Sequence, residues 1–364
     1  MVVSDAVATG EEALEPALVT VPAEEYSTLL PDGAEFTVEN SVRAGRYMAS
    51  SAALGAAHEL LYESPLVAWP LAPEALSMPE LRDRGIRCVS WCEGCFAYLA
   101  DDDRPVRRRL VGKRPAPAPG MFCTACRERR PELADLFSSE LLARWRRWQT
   151  ARSPNSKVGL EAFARCAAHV AVTAARLRAA TPGLGAGAAL RAALRPFERL
   201  VAPPEGHFVA LDGTSAAEIA AELRASQPFA CGVAAAIGCP LEAASLLSED
   251  TIGAIAGRLV LNAVGIEVHG AGLGGTSLPT VGVFVLLSTM NHSCSPSVEV
   301  VTGPSMEVCL RTLRPVEQGE ALTISYVPLD WSREQRRKRL RHWFFDCDCY
   351  RCESEAKVVA ALAG

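Results

Sequence analysis

Long apolar runs are missing from this chain of 364 residues: the stretch from Val281 to Met290 reaches only about half of the roughly 20 residues that cross a bilayer. A basic segment followed by an apolar one is missing from the N-terminus, where Asp5, Glu11 and Glu12 stand instead, so neither an export signal nor a membrane partner is expected. Positive charge is not in excess. The 37 Lys+Arg residues against 42 Asp+Glu give a net charge of −5, which argues against a globally basic nucleic-acid binder. Aromatic residues are sparse at 6%, yet hydrophobic residues reach 49%, which excludes global disorder and leaves room for roughly two or three domain-sized units. An intracellular protein, of the nucleus and/or cytoplasm, is expected.

Cysteine, by contrast, is abundant. There are 13, an odd number in a chain without an export signal, so metal binding is a better reading than a disulfide framework. Cys347, Cys349 and Cys352 form a C-x-C-x-x-C run that leaves a tetrahedral zinc one ligand short. Cys294, inside the polar stretch NHSCSPS, is the obvious fourth donor. A second group pairs Cys92 and Cys95 with Cys123 and Cys126, with about 27 residues between the pairs where a compact two-knuckle site has about 15 to 20. The intervening DDDRPVRRRLVGKRPAPAPG holds a basic cluster (Arg104, Arg107, Arg108, Arg109, Lys113, Arg114) and a Pro-rich stretch that packs as neither helix nor strand. It is either a solvated loop or a contact for nucleic acid or an acidic protein partner. Cys166, Cys231, Cys239 and Cys309 read as small buried apolar residues.

Residues 1–35 are acidic and aperiodic, which predicts a frayed terminus. Phe36-Thr37-Val38, Leu60-Leu61-Tyr62 and Val67-Ala68-Trp69 read as short strands. Helical spacing runs over 138–150 and 158–180, followed by a Gly/Ala turn region over 183–190. Another helix is predicted from about Ser248 to Ala263, where the apolar stripe Ile252, Ile255, Leu259 lands on Asn262. A polar amide on that face is either a satisfied core group or a ligand contact. Val281 to Leu287 is an apolar extended segment, Val298–Val301 and Met306–Leu313 suggest a hairpin, and Ala321–Val327 another strand. Ser332 and Gln335 form a capping box that starts a helix over RRKRLRHW.

In this order and at these spacings, NHSCSPS (291–297), LRPVEQGEALTISY (313–326) and FFDCDCYRC (344–352) resemble the catalytic half of a SET-domain methyltransferase of the SET-and-MYND-domain subgroup. Residues 45–70 look like that family's first strands. The resemblance implies an α+β SET fold of mainly short β-sheets with a knotted C-terminal segment, a helical insertion and zinc-binding loops. It divides the chain into a disordered N-terminus (1–35), the first part of the SET domain (36–75), a MYND-like zinc knuckle (86–130), a helical insertion (131–250), the SET catalytic core (251–330) and a post-SET zinc segment (331–355).

The resemblance further implies that Asn291, His292, Asn262, Arg46 and Phe345 contact S-adenosylmethionine, that Tyr326 is the catalytic tyrosine beside the methyl group, and that Cys294, Cys347, Cys349 and Cys352 hold the post-SET zinc. The implied activity is methyl transfer to a lysine of a histone or another protein. Two departures stand out: Gly45-Arg46-Tyr47 replaces a Gly-x-Gly loop, placing a ring where the cofactor approaches backbone, and Ser297 replaces an Asn. One zinc is expected in the N-terminal knuckle, held by Cys92, Cys95, Cys123 and Cys126, and no C-terminal helical repeat domain. A catalytically silent zinc scaffold that binds protein or nucleic acid is the alternative.

Overall fold

The computed structural model describes residues 20–42, 44–70, 92, 124–129, 160–203, 249–269, 277–303 and 306–363. The expected helix over 138–150, the basic cluster at 104–114, Cys95 and Cys123 lie outside them.

Among the described residues, alternating and β-branched segments form ten short strands: β1 (Phe36–Ser41), β2 (Gly45–Ser50), β3 (Glu59–Glu63), β4 (Val67–Pro70), β5 (Ala263–His269), β6 (Ser277–Val283), β7 (Asn291–His292), β8 (Val298–Thr302), β9 (Val308–Thr312) and β10 (Ala321–Ile324). The helices are α1 (Thr124–Arg129), α2 (Leu160–Ala180), α3 (Ala186–Glu198), α4 (Glu249–Asn262), α5 (Arg333–Leu340) and α6 (Tyr350–Ala363), with 3-10 turns at Ala23–Leu29, Leu287–Thr289 and Arg341–Trp343.

Three sheets are built, in the orders β1-β2-β10-β7, β3-β9-β8 and β4-β6-β5. Each one joins strands from before residue 71 to strands from after residue 262, so segments far apart in the chain share one core. Pairing is antiparallel except between β7 and β10, where Asn291 and His292 run parallel beside Thr323 and Ile324. The inward faces of the strands supply a shared core that includes Phe36, Met48, Leu61, Phe284, Leu287, Leu310 and Leu322. This architecture is the α+β arrangement expected from the sequence.

Three local expectations are corrected. The expected frayed terminus is ordered over its described part: Ala23–Leu29 is a 3-10 helix and Tyr26 is fully buried. Its ring belongs to the main core, its hydroxyl donates to the Arg199 carbonyl and accepts from Arg46, and those contacts outweigh the local acidity. The Gly/Ala turn region is a turn only around Gly183, at φ +88, after which Ala189, Ala193 and Phe197 bury one face of α3. The last strand ends at Ile324, not at Val327, where Ser325 turns its hydroxyl onto the Val327 carbonyl at 2.7 Å.

Candidate functional site

The site forms where the polar stretch 291–297, the exit of β10 and the segment 343–352 converge. The approach to the first of these is fixed from below. Both carboxylate oxygens of half-buried Glu63, at the end of β3, accept backbone N–H groups, from Leu286 and Leu287, each at 2.8 Å. Glu63 thereby anchors the turn that carries the chain into Asn291. Burial raises its carboxyl above the ordinary carboxylate value, with the backbone donors opposing.

His292 faces two ways. Its Nδ1 accepts the backbone N–H of Tyr326 at 3.0 Å, so the ring proton sits on Nε2, which donates to the Cys294 sulfur at 3.2 Å. Burial, with Arg336 nearby, lowers its pKa to about 4 and keeps the ring neutral. Tyr326 is held at two points: its N–H by His292, and its hydroxyl by the Met290 carbonyl at 2.6 Å. Burial pushes that phenol up to about 12, so it stays protonated at neutral pH.

Around Tyr326 stand Trp343, with ring centroids 5.2 Å apart, His292 at 5.4 Å and Phe345 at 6.4 Å edge-on. Trp343 is fixed by its indole N–H on the Leu261 carbonyl at 2.9 Å. Between Trp343 and Phe345 the backbone reverses at Phe344, whose φ of 61° lies in the left-handed region that bulky residues rarely enter. That reversal lets the rings on either side of it approach the same tyrosine.

The sulfur atoms of Cys294, Cys347, Cys349 and Cys352 all lie within 4.8 Å of one another, with Cys294 4.0 Å from Cys347 and 3.6 Å from Cys352. Four sulfurs at ~2.3 Å from one tetrahedral ion stand about 3.8 Å apart, so a donor set of this size fits zinc with a small contraction. The Cys349 thiol is drawn down to about 7: burial opposes, but the Cys352 backbone N–H, the Cys347 thiol and the Cys294 backbone N–H together prevail. Burial lifts the Cys294 thiol to about 11, which a bound cation would reverse.

The other expected residues are placed as follows. Asn291 donates its amide to the Ala44 carbonyl at 2.8 Å, tying the polar stretch to the turn between β1 and β2. Asn262, at the end of α4, spends its side chain on backbone: Nδ2 donates to Val201 at 2.8 Å and Arg258 at 2.7 Å, and Oδ1 accepts from Val201 at 3.3 Å. It is therefore not brought to Tyr326 by any of these bonds. Ser297 is fully buried and exchanges hydrogen bonds with Thr323 on β10, accepting its N–H at 3.0 Å.

Arg46 is buried and, among the described residues, donates only to neutral oxygens, those of Tyr26, Arg199 and Ser288, while its Nε meets no partner there. Tyr47, one residue on, points to the opposite face of the β1–β2 hairpin, its hydroxyl on Glu39 at 2.8 Å. The ring that replaces a glycine is thus turned outward by strand alternation. Of the N-terminal knuckle, Cys92 is fully buried and Cys126 lies on α1.

Glu63, Trp343 and Arg336 escape sequence reading. For Arg336 a signal exists: it lies one helical turn before fully buried Leu340, on the same face. The surrounding basic run hides it.

A tyrosine at a strand exit, an Asn-His pair on a parallel strand beside it and a four-cysteine cluster next to both make up the arrangement expected of a SET-type domain. The match to the SET domain model covers residues 204–327. The chain is similar to histone-lysine N-methyltransferase SMYD3 of Homo sapiens, 42% identical over 86 residues that cover 23% of this chain and 20% of that protein. It is also similar to histone-lysine N-methyltransferase ATXR4 of Arabidopsis thaliana, 34% identical over 29% of this chain and 31% of that protein. A third relative, histone-lysine N-methyltransferase set5 of Schizosaccharomyces pombe, is 32% identical over 31% of this chain and 33% of that protein. The chain thus spans a third or less of the length of these relatives. By these matches the chain is similar to SET-domain proteins of the SET-and-MYND-like kind. No helix among the described residues is long and apolar enough to cross a membrane.

Proposed function

We propose that this protein transfers a methyl group from S-adenosylmethionine to a lysine side chain of a protein, histone or other, in the nucleus and/or cytoplasm. The observation that carries the reading is Tyr326: half-buried, held at both its amide and its hydroxyl, and flanked by three further rings. The similarity of the SET segment to three named histone-lysine N-methyltransferases supports it.

The cofactor, when bound, supplies the electrophilic methyl group. Everything else is positioning, because in-line displacement at a sulfonium needs alignment and a dry site more than an acid. A lysine amine must lose its proton before attack, and an aromatic enclosure disfavours the charged form. The rings of Tyr326, Trp343, Phe345 and His292 provide that enclosure. A neutral His292 adds no positive charge to that enclosure. Arg46 fits an anionic group of the cofactor, since among the described residues no carboxylate pairs with it and its Nε is unsatisfied. Asn291 and Phe345 complete the proposed cofactor contacts, and Asn262 supports that side of the pocket through its bonds to the Val201 and Arg258 backbone.

We assign zinc to Cys294, Cys347, Cys349 and Cys352, and a second zinc to Cys92, Cys95, Cys123 and Cys126. With four thiolates no coordination position remains for water, so the role is to hold the 343–352 segment over Tyr326. The basic cluster at 104–114 is the proposed contact for an acidic partner.

The test is calorimetric titration of S-adenosylmethionine into zinc-loaded protein, beside Asn291→Ala. Saturable binding that the variant loses is expected, followed by methyl incorporation into histone or peptide substrates. A folded protein that binds no cofactor would overturn the reading in favour of a silent scaffold.

A further inference from the structure

Arg336 is 0% exposed, the largest fully buried side chain among the described residues. A guanidinium is buried only where its charge and its donors are matched. On α5, whose start is fixed by the Ser332–Gln335 capping box, Arg336 places Nε 3.2 Å from the Cys294 sulfur and Nη2 4.0 Å from the Cys352 sulfur. Nη2 also meets Glu355 Oε2 at 2.6 Å, and Nη1 meets the Trp331 carbonyl at 2.5 Å.

Glu355 does not account for the whole charge. The same carboxylate accepts from Arg351 Nε at 2.8 Å, and a third of its side chain is exposed, so one carboxylate serves two cations. The remaining positive charge faces sulfur. Four thiolates around a divalent cation carry a net charge of −2, the complement this guanidinium needs. Cys294 is also the ligand most distant in sequence from the other three, and Arg336 touches it together with Cys352.

We infer that Arg336 is a positioning residue of the metal centre, whose N–H groups fix the Cys294 and Cys352 thiolates and offset the charge of the tetrathiolate. The inference rests on the metal reading of the four-cysteine cluster. N–H···S bonds of this kind withdraw electron density from the sulfur. They therefore shift sulfur-to-metal charge transfer as well as affinity, whereas a packing role alone would alter only stability.

The experiment uses the full chain, stripped of metal and titrated with Co2+. The absorption belonging to this centre is the part lost in Cys349→Ser, and zinc affinity is read by competition with a chromophoric chelator. Arg336→Met is expected to weaken metal binding about 10- to 100-fold and to shift the sulfur-to-cobalt band. Arg336→Lys, which keeps the charge without the Nε donor, should restore affinity in part but not the band. Arg337→Met, whose partner is Asp346, should change neither. Wild-type affinity and an unshifted band in folded Arg336→Met would overturn the inference; should that variant not fold, the same result in Arg336→Lys would do so. No cobalt–thiolate band in the wild-type protein would overturn the metal reading itself, and this inference with it.

Discussion

The imidazole of His292 stands between the backbone N–H of Tyr326, accepted at 3.0 Å, and the sulfur of Cys294, approached at 3.2 Å. A ring two residues from a cysteine of the four-sulfur cluster therefore also sets the backbone position of the tyrosine at the site. Cluster geometry and tyrosine placement are mechanically linked through one side chain. His292→Phe keeps the ring volume and deletes both nitrogen contacts. It leaves the buried Tyr326 N–H unmatched, at a cost of about 1–3 kcal/mol, measurable as a lower unfolding free energy in urea. A variant as stable as the parent would show that the link carries no load.

Tyr326→Phe removes the hydroxyl held by Met290 while leaving ring packing in place. If the phenol orients the reacting groups, methyl transfer falls about 100-fold while cofactor affinity changes little. Rates and calorimetry on the same preparation separate the two. Full activity in the variant would remove Tyr326 from the chemistry.

Removing the metal should loosen the segment that closes over Tyr326. Treatment with a strong chelator, or Cys349→Ala, is expected to open residues 341–363 to proteolysis and to abolish cofactor binding, because the apo thiols no longer hold Cys294 to the C-terminal cluster. Retained cofactor affinity would contradict it.

Glu63 predicts a pH dependence. Burial raises its carboxyl in the folded state, so the folded protein binds that proton more tightly than the unfolded chain. The stability this contributes is complete below the unfolded-state value and is lost as pH rises through the raised folded-state value. Glu63→Gln lacks the titration. The stability of the parent relative to that variant should therefore decline across that window and then level off, in chemical denaturation at successive pH values. Parallel curves would show that the group does not titrate with folding.

Asn262→Leu deletes three hydrogen bonds to the Val201 and Arg258 backbone. A loss of about 1–3 kcal/mol follows from leaving buried backbone groups unmatched, seen as a lower thermal midpoint without added cofactor. An unchanged midpoint would mean the amide is held for a ligand instead.

Much of the local structure was legible in the sequence. Alternating residues marked β1, β3 and β4, the capping box marked the start of α5, and the C-x-C-x-x-C run demanded a fourth sulfur that Cys294 supplies. These signals are short-range: side-chain period, cap chemistry and ligand count act within a few residues.

What the tertiary structure alone decided depends on contacts between distant segments. Tyr26 looked like part of a frayed end because its partners, Arg46 and Arg199, lie far along the chain. Tyr47 looked obstructive until strand register turned it toward Glu39. Arg336 looked like one charge in a basic run until helix phase directed it onto two sulfurs. The amide of Asn262, poised between core and ligand by pattern, went to the Val201 backbone. By itself the sequence determined which side chains could ligate, cap or alternate, because those properties are local; which atoms they met was decided only when β1–β4 closed onto β5–β10 and brought segments far apart in the chain into one core.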